Sequence, residues 1–393
     1  MAVTNDVLGF TVGVASAGVR DGTPKRTDVA LIVSDRTCAA AGVFTTNEVI
    51  AAPCVVTRKH LEHGRLRAIV VNSGNANACT GEQGERNAVA MAKAAADKIG
   101  CDPHEVAVAS TGVIGVPLPV ERIAAAVSAM SLRAGDWNDV AKAIMTTDTK
   151  PKNIGIDVKL EAGTVHIRGV AKGAGMIHPN MATMLAFVMT DAEVAAAELQ
   201  EMLEDAADAS FNLISIDGDT STNDTLLLLA NGASGIEPRG ADLKEFGDAL
   251  RGLCEVLARA VLADGEGVTK VFEVRVSGAA SAEDARRAAR TITTSNLVKT
   301  AIHGADPNWG RILAAAGRSG AKVDQTRASV HIADVAVFVE GSPRAFDGAA
   351  VRRVFEQRDI TIAVDLGVGS EAAHAWGTDL SAEYVRINAD YTT

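Results

Sequence analysis

Seven runs of alternating apolar and polar residues recur along the chain: Asp28–Ser34, Arg67–Val71, Glu105–Ala109, Thr164–Val170, Lys270–Ser277, Ser329–Val339 and Asp359–Leu366. A period of two is the pattern of strands buried on one face. Ala-rich stretches with helical spacing lie between them. One spans Glu82–Ile99 and stops at Gly100, a residue suited to the left-handed turn that ends helices. Others fit Asp242–Ala263, Ser281–Ala289 and Phe346–Gln357. A further helix is expected to start at Thr190-Asp191-Ala192-Glu193, where the Thr hydroxyl and the Glu carboxylate can cap exposed amides. Strands and helices interleave, so the class is α/β or α+β around a large sheet core. No fixed-period repeat or long linker marks a domain boundary, although the segment after about Ser277 reads as a smaller C-terminal domain.

Composition narrows the function classes. The chain has 393 residues, 47% apolar and 22% charged, which is enough to bury a core and allows two or three domains. Its 38 Lys and Arg against 49 Asp and Glu give a net charge of −11, with no basic cluster. Nucleic acid and anionic membrane surfaces both need a basic footprint, so neither is expected as a partner. The five cysteines (38, 54, 79, 101 and 254) are widely spaced and form no Cys-x-x-Cys, which reads as reduced thiols of a cytoplasmic protein. Met1–Phe10 lacks the charge and apolar run of a signal peptide. The longest uncharged stretch, Gly173–Thr190, contains glycines, His178, Pro179 and Asn180 and does not read as a membrane span.

Three stretches resemble neither core nor ordinary surface. The first, Lys172 to Phe187, is a Gly-rich loop with a stiff Pro179 that leads through Thr183 into an apolar run. It reads either as a tight strand connection or as a strained loop presenting a hydroxyl. The second, Ser110-Thr111-Gly112-Val113-Ile114-Gly115, places a hydroxyl and a flexible Gly at a strand end, where an O–H and an N–H can converge on one oxygen. Nearby, Met145–Lys150 carries three hydroxyls between apolar flanks. The third is the C-terminal segment, Tyr384–Thr393, which holds both tyrosines of the chain and is therefore expected to dock.

Other signals are weaker. Asp217–Asp224 lacks the Gly and Glu offsets of a calcium loop and reads as a turn or a polar pocket wall. The histidines have no metal-binding spacing, so no metal is expected. Gly-x-Ser-x-Gly and the P-loop motif are both absent.

Taken together and in order, the segments Ala40–Asn47, Val71–Gly81, Ser110–Gly115, Ala143–Asp148, Lys172–Leu185, Asp217–Thr225, Asp264–Lys270, Leu297–Arg311 and Asn388–Thr393 resemble the ornithine acetyltransferase family of arginine biosynthesis, also called glutamate N-acetyltransferase. The resemblance implies a layered α-β-β-α sandwich of the self-processing Thr-nucleophile type. It implies cleavage of the Ala182–Thr183 bond into an α chain, residues 1–182, and a β chain, residues 183–393, which carries the smaller domain from about 278. The two would remain together as an α2β2 heterotetramer.

The same resemblance implies that N-acetylornithine acylates Thr183 and that glutamate takes the acetyl group. Thr111 and Gly112 would form the oxyanion hole, and Thr146, Lys172, Thr183, Glu266, Asn388 and Thr393 would bind substrate. The family's last residue is often Ser; Thr393 keeps a hydroxyl and a carboxylate. No cofactor is implied. Family members with one activity and members with two share these motifs, so the motifs leave open whether acetyl-CoA is a second donor. Two alternatives stand beside this reading: a self-cleaving amidase or aminopeptidase that uses water as acceptor, and a non-catalytic amino-acid-binding protein.

Overall fold

A computed structural model describes residues 6–178 and 184–390. Fifteen strands and eleven helices fall into two sheet-centred units among the described residues. The first sheet runs in the order β4 (Val106–Val113), β3 (Arg65–Asn75), β2 (Val29–Phe44), β9 (Thr225–Ala230), β7 (Leu185–Thr190), β6 (Gly163–Lys172) and β5 (Lys152–Leu160), while β1 (Phe10–Ala15) pairs with β2 outside this path.

The first sheet is organised by β2. Its N-terminal part pairs with β1 and β3 and its C-terminal part with β9, with a register shift between Val33 and Cys38. A bulge of this kind bends and twists a strand, and the bend lets two limbs of the sheet face one another. Ile32, Ile69, Val71 and Ala109 from one limb share a core with Val170, Phe187, Leu227 and Leu229 from the other. Helix α4 (Trp137–Ala143) adds Trp137, 2% exposed, to that core.

The alternate residues point outwards. Leu31, Ala68 and Val70 pack against α1 (Ala52–His60), α2 (Gly81–Ile99) and α3 (Val120–Ala129). Ala186, Val188, Leu226 and Leu228 pack against α5 (Ala196–Asp208) and α6 (Ala241–Ala263). The layers are therefore α-β-β-α. In β7 and β9 every residue is buried, so both strands read as continuous apolar runs without alternation.

The second unit is a mixed sheet in the order β13 (Ser342–Pro343), β12 (Val335–Val339), β11 (Ser329–Ile332), β14 (Asp359–Asp365), β10 (Val271–Ala279), β15 (Glu371–Thr378) and β8 (Ile214–Ser215). It is covered by α7 (Ala282–Thr293), α8 (Asn296–His303), α9 (Trp309–Gly317) and α10 (Gly348–Phe355). Strand β8 joins its edge through parallel pairing with β15, Trp376 opposite Ile214, and so links the two units. Helix α11 (Ala382–Asp390) closes the described chain.

Two local expectations change. Ser329–Val339 is two antiparallel strands, because the backbone turns at Ala333, whose φ is +48°. The helix expected from Thr190 begins only at Ala196 with Ala195 as N-cap. Thr190 is instead the last residue of β7, and its Oγ1 accepts the Ala192 amide at 3.2 Å. Gly100, in contrast, ends α2 with φ +71°.

Candidate active site

The ends of β4 and β6 open into one pocket of about 130 Å³. Thr111, Gly112 and Ile114 come from β4 and the turn after it. Thr146 and Thr147 come from the turn before β5, and Lys172, Gly175 and Met176 from the end of β6 and its loop. Asp217, Asp219, Ser221 and Asn223 wall one side; Glu266, Tyr384 and Asn388 close the other. Thr111, Gly112, Thr146, Lys172, Glu266 and Asn388, which lie far apart in sequence, thus share one cavity. Ala182, Thr183 and Thr393 lie outside the described residues.

Backbone geometry explains the Gly at 112. Parallel β3 and β4 approach closely at an irregularity where Gly74 faces Gly112 and Asn75 faces both Thr111 and Val113. Gly112 has φ +135°, and a Cβ there would stand 2.3 Å from the Gly74 carbonyl carbon and 2.4 Å from the Asn75 nitrogen. Only Gly fits both constraints. The floor beneath is fixed by Asn223, whose Nδ2 donates to the Ala76 carbonyl at 2.6 Å and to the Ser110 carbonyl at 2.9 Å.

Lys172 links two of the hydroxyls. Its Nζ donates to Thr146 Oγ1 at 2.9 Å and to Thr111 Oγ1 at 3.3 Å. A hydroxyl that accepts from an ammonium directs its own proton elsewhere, which leaves Thr111 free to donate into the pocket. Burial holds the Lys172 ammonium below the ordinary lysine range, with the neighbouring Lys152 charge adding to the effect and Asp148 opposing it. Asp148 is lowered in spite of its own burial, because Lys172, Lys152 and the Gly173 amide favour its charged form.

Asp217 and Glu266 hold the two remaining sides of the pocket. Asp217 accepts the amides of Met176 at 2.6 Å and Ile177 at 2.9 Å, which keeps Met176 at a left-handed φ of +57°. Burial raises the Asp217 carboxyl, and the Tyr384 hydroxyl donates to it at 3.2 Å. Glu266 is 8% exposed; its backbone amide donates to the Ala174 carbonyl at 2.8 Å, and its Oε2 accepts from Asn388 Nδ2 at 2.8 Å. Buried Lys299 donates to the carbonyls of Ile216 and Thr378, bracing the strand that leads into Asp217.

Sequence reasoning did not find two further groups. Asp148, Lys152 and Asp264 form a buried charge cluster behind Lys172; Asp148 and Lys152 are four residues apart, but Asp264 lies 112 residues beyond Lys152, so no local pattern reveals the whole group. Asp224 is fully buried. Its Oδ1 accepts the Met184 amide at 2.9 Å while its Oδ2 has no hydrogen-bond partner among the described residues, and burial raises its carboxyl well above the ordinary range. The sequence signal was its place at the end of the polar run 217–224.

Among the described residues no group of His, Cys, Asp and Glu could hold a metal ion, and no helix is long and apolar enough to cross a membrane. The Cys38, Cys54 and Cys254 thiols are buried, which pushes each up to about 12, and no cysteine is in a disulfide.

A sequence model of the ArgJ family matches residues 11–393. The arginine biosynthesis bifunctional protein ArgJ of Symbiobacterium thermophilum is 51% identical over 390 residues, covering 98% of this chain and 97% of that one. Its counterpart in Dehalococcoides mccartyi is 48% identical over 389 residues, covering 98% and 96%. A crystal structure of the arginine biosynthesis bifunctional protein argJ from Bacillus halodurans superposes with a TM-score of 0.51 at 42% identity, over 52% of this chain and 98% of that chain.

Proposed function

The chain belongs to the ArgJ family, and from that premise we propose that it is a glutamate N-acetyltransferase of arginine biosynthesis that moves the acetyl group of N2-acetyl-L-ornithine to L-glutamate. The observation that carries the reading is the convergence of Thr111, Gly112, Thr146, Lys172, Glu266 and Asn388 on one pocket. Its loop continues through residue 178 into the segment that holds Thr183.

The chemistry begins with self-cleavage. The Thr183 hydroxyl attacks the Ala182 carbonyl, the acyl group passes from nitrogen to oxygen, and water hydrolyses the ester. Thr183 then carries a free α-amine with an unperturbed pKa of roughly 7.7–8, suited to take the proton of its own hydroxyl near neutral pH. Thr183 Oγ attacks the acetyl carbonyl of N-acetylornithine, the tetrahedral oxyanion is held by the Thr111 hydroxyl and the Gly112 N–H, and ornithine leaves with the proton. The glutamate amine attacks the acetyl-Thr183 ester, and N-acetylglutamate departs.

Lys172 suits a substrate carboxylate and Glu266 a substrate ammonium, with Thr146, Asn388 and Thr393 completing the binding set. No metal or cofactor enters these steps. Acetyl-CoA is the second donor in this reading, as the word bifunctional in the names of the relatives supports. We place the enzyme in the cytoplasm as an α2β2 heterotetramer of chains 1–182 and 183–393, the second carrying the smaller unit, which takes in all of β10 and so starts by Val271 rather than about 278. The Bacillus halodurans chain supports two chains: 98% of it aligns with only 52% of this one, as expected of one processed half.

Denaturing mass analysis of purified protein should give fragments 1–182 and 183–393. The mixture of N-acetylornithine and glutamate should yield N-acetylglutamate. A single full-length mass overturns cleavage, and acetate as the only product overturns transfer in favour of an amidase.

A further inference from the structure

Lys152 does not line the pocket, yet its ammonium is enclosed directly behind it. Its side chain is 3% exposed, and Nζ donates to Asp148 Oδ1 at 2.7 Å, Asp264 Oδ2 at 2.7 Å and the Lys150 carbonyl at 3.2 Å. Three partners use all three of its protons. Asp264 also takes the amides of Thr149 and Lys150, at 3.0 and 3.2 Å, and the Thr149 hydroxyl.

Asp148 stands between the two lysines. Its Oδ1 takes Lys152 and the Gly173 amide, both at 2.7 Å. Its Oδ2 takes the Thr146 amide at 3.1 Å and lies 3.9 Å from Lys172 Nζ. Two carboxylates and two ammonium groups balance within this cluster, which a buried charged group requires. The balance is uneven in space: Asp148 bonds Lys152 directly, while Lys172 faces the Thr146 and Thr111 hydroxyls of the pocket.

We propose that Lys152 is a positioning residue for substrate binding, which holds Asp148 away from Lys172 so that the Lys172 ammonium stays available to the α-carboxylate of an amino-acid substrate. This rests on the reading of Lys172 as the carboxylate anchor given above. Without Lys152, Lys172 is the one ammonium left beside Asp148, and a shift of about 1 Å would close a direct ion pair at normal charged hydrogen-bond length. The substrate carboxylate would then compete with an internal one.

The test compares N-acetylornithine with its carboxamide, in which the α-carboxylate is an amide, on the processed enzyme. Lys152→Met should raise KM for N-acetylornithine about tenfold, the scale of one weakened charge contact, with kcat within about threefold. The kcat/KM for the carboxamide should barely move. Lys152→Met/Asp264→Asn keeps the buried charge balanced and should show the same selective loss, which covers the case where the single variant folds poorly.

An equal loss for both substrates, or a fall in kcat at unchanged KM, overturns the proposal. Lys172→Met should abolish the preference for the carboxylate over the carboxamide. If it does so while Lys152→Met leaves the preference intact, only the role of Lys152 fails. If the preference survives Lys172→Met, the carboxylate-anchor reading fails with it.

Discussion

Asn388 in the last helix donates its side-chain amide to Glu266 Oε2 at 2.8 Å, tying the C-terminal helix to the loop that walls the pocket. Asn388 is itself exposed, and its Nδ2 also donates to the Tyr384 carbonyl at 3.1 Å. The bond therefore fixes a carboxylate direction more than it stabilises the fold. Asn388→Ala should raise KM for N-acetylornithine about tenfold, the scale of one hydrogen bond to a charged group. The melting temperature should stay close to that of the parent. Unchanged KM would show that the direction of Glu266 does not matter for binding.

Gly175 presses on the same carboxylate from the other side. A Cβ at Gly175 would stand 2.5 Å from Glu266 Oε2 and 2.6 Å from its Cδ. The side chain can swing away at little cost, but it then leaves Asn388. Gly175→Ala should lose binding with less than about 1 kcal/mol of stability, within the range of mild substitutions. Parallel thermal melts and KM measurements check this, and a large drop in melting temperature would mean that the backbone, not Glu266, yields.

Thr111 and Gly112 should separate cleanly under mutation. Thr111→Val removes a hydroxyl and keeps the strand, so kcat should fall about 10²–10³-fold, as when an oxyanion donor is lost. Thr111→Ser should recover most of it. Gly112→Ala meets the Gly74–Asn75 backbone and should fail in expression or folding before activity can be read. Steady-state kinetics and soluble yield distinguish the two outcomes.

Asp224 gives a pH signature. Burial raises its folded-state carboxyl well above the ordinary 3.8, so the folded chain keeps a proton that the unfolded chain releases. Its contribution to stability is greatest below the unfolded value and declines as pH rises towards the folded one. Asn has the same shape, can accept the Met184 amide, and does not titrate. Asp224→Asn should therefore gain in melting temperature over the parent at pH 8 and lose that advantage near pH 4. Equal melting curves at both pH values would mean that the parent carboxyl is not raised.

The clearest alternation belongs to strands with one solvated face, β10 and β14, whose burial alternates along the strand. The runs of β2, β3 and β6 are legible as strands although both their faces are covered, and α2 and α6 have clear bounds. β7 and β9 sit in the middle of the sheet with both faces covered, so their runs Leu185–Thr190 and Thr225–Ala230 carry no period. Thr190 misled because a strand end and a helix cap use the same residue types. The pocket was visible only as scattered motifs, whose convergence is a property of the β2 bend and of the β8–β15 link. The Asp148–Lys152–Asp264 cluster depends on contacts across more than a hundred residues, and only folding reveals it.

The strand order sets how a processed enzyme could be rebuilt. Strands β9 and β7, both beyond residue 183, lie side by side between β2 and β6, both before residue 182. The 182–183 bond falls in the stretch between the end of β6 at Lys172 and the start of β7 at Leu185. Yet neither half can leave without tearing the sheet on both sides of that pair. Once torn, the two halves are separate molecules, and re-forming the sheet becomes a second-order reaction whose rate falls with dilution. An uncut chain would refold at a rate independent of concentration, so the proposed cut would leave a fold that dilute solution preserves only by never letting it open.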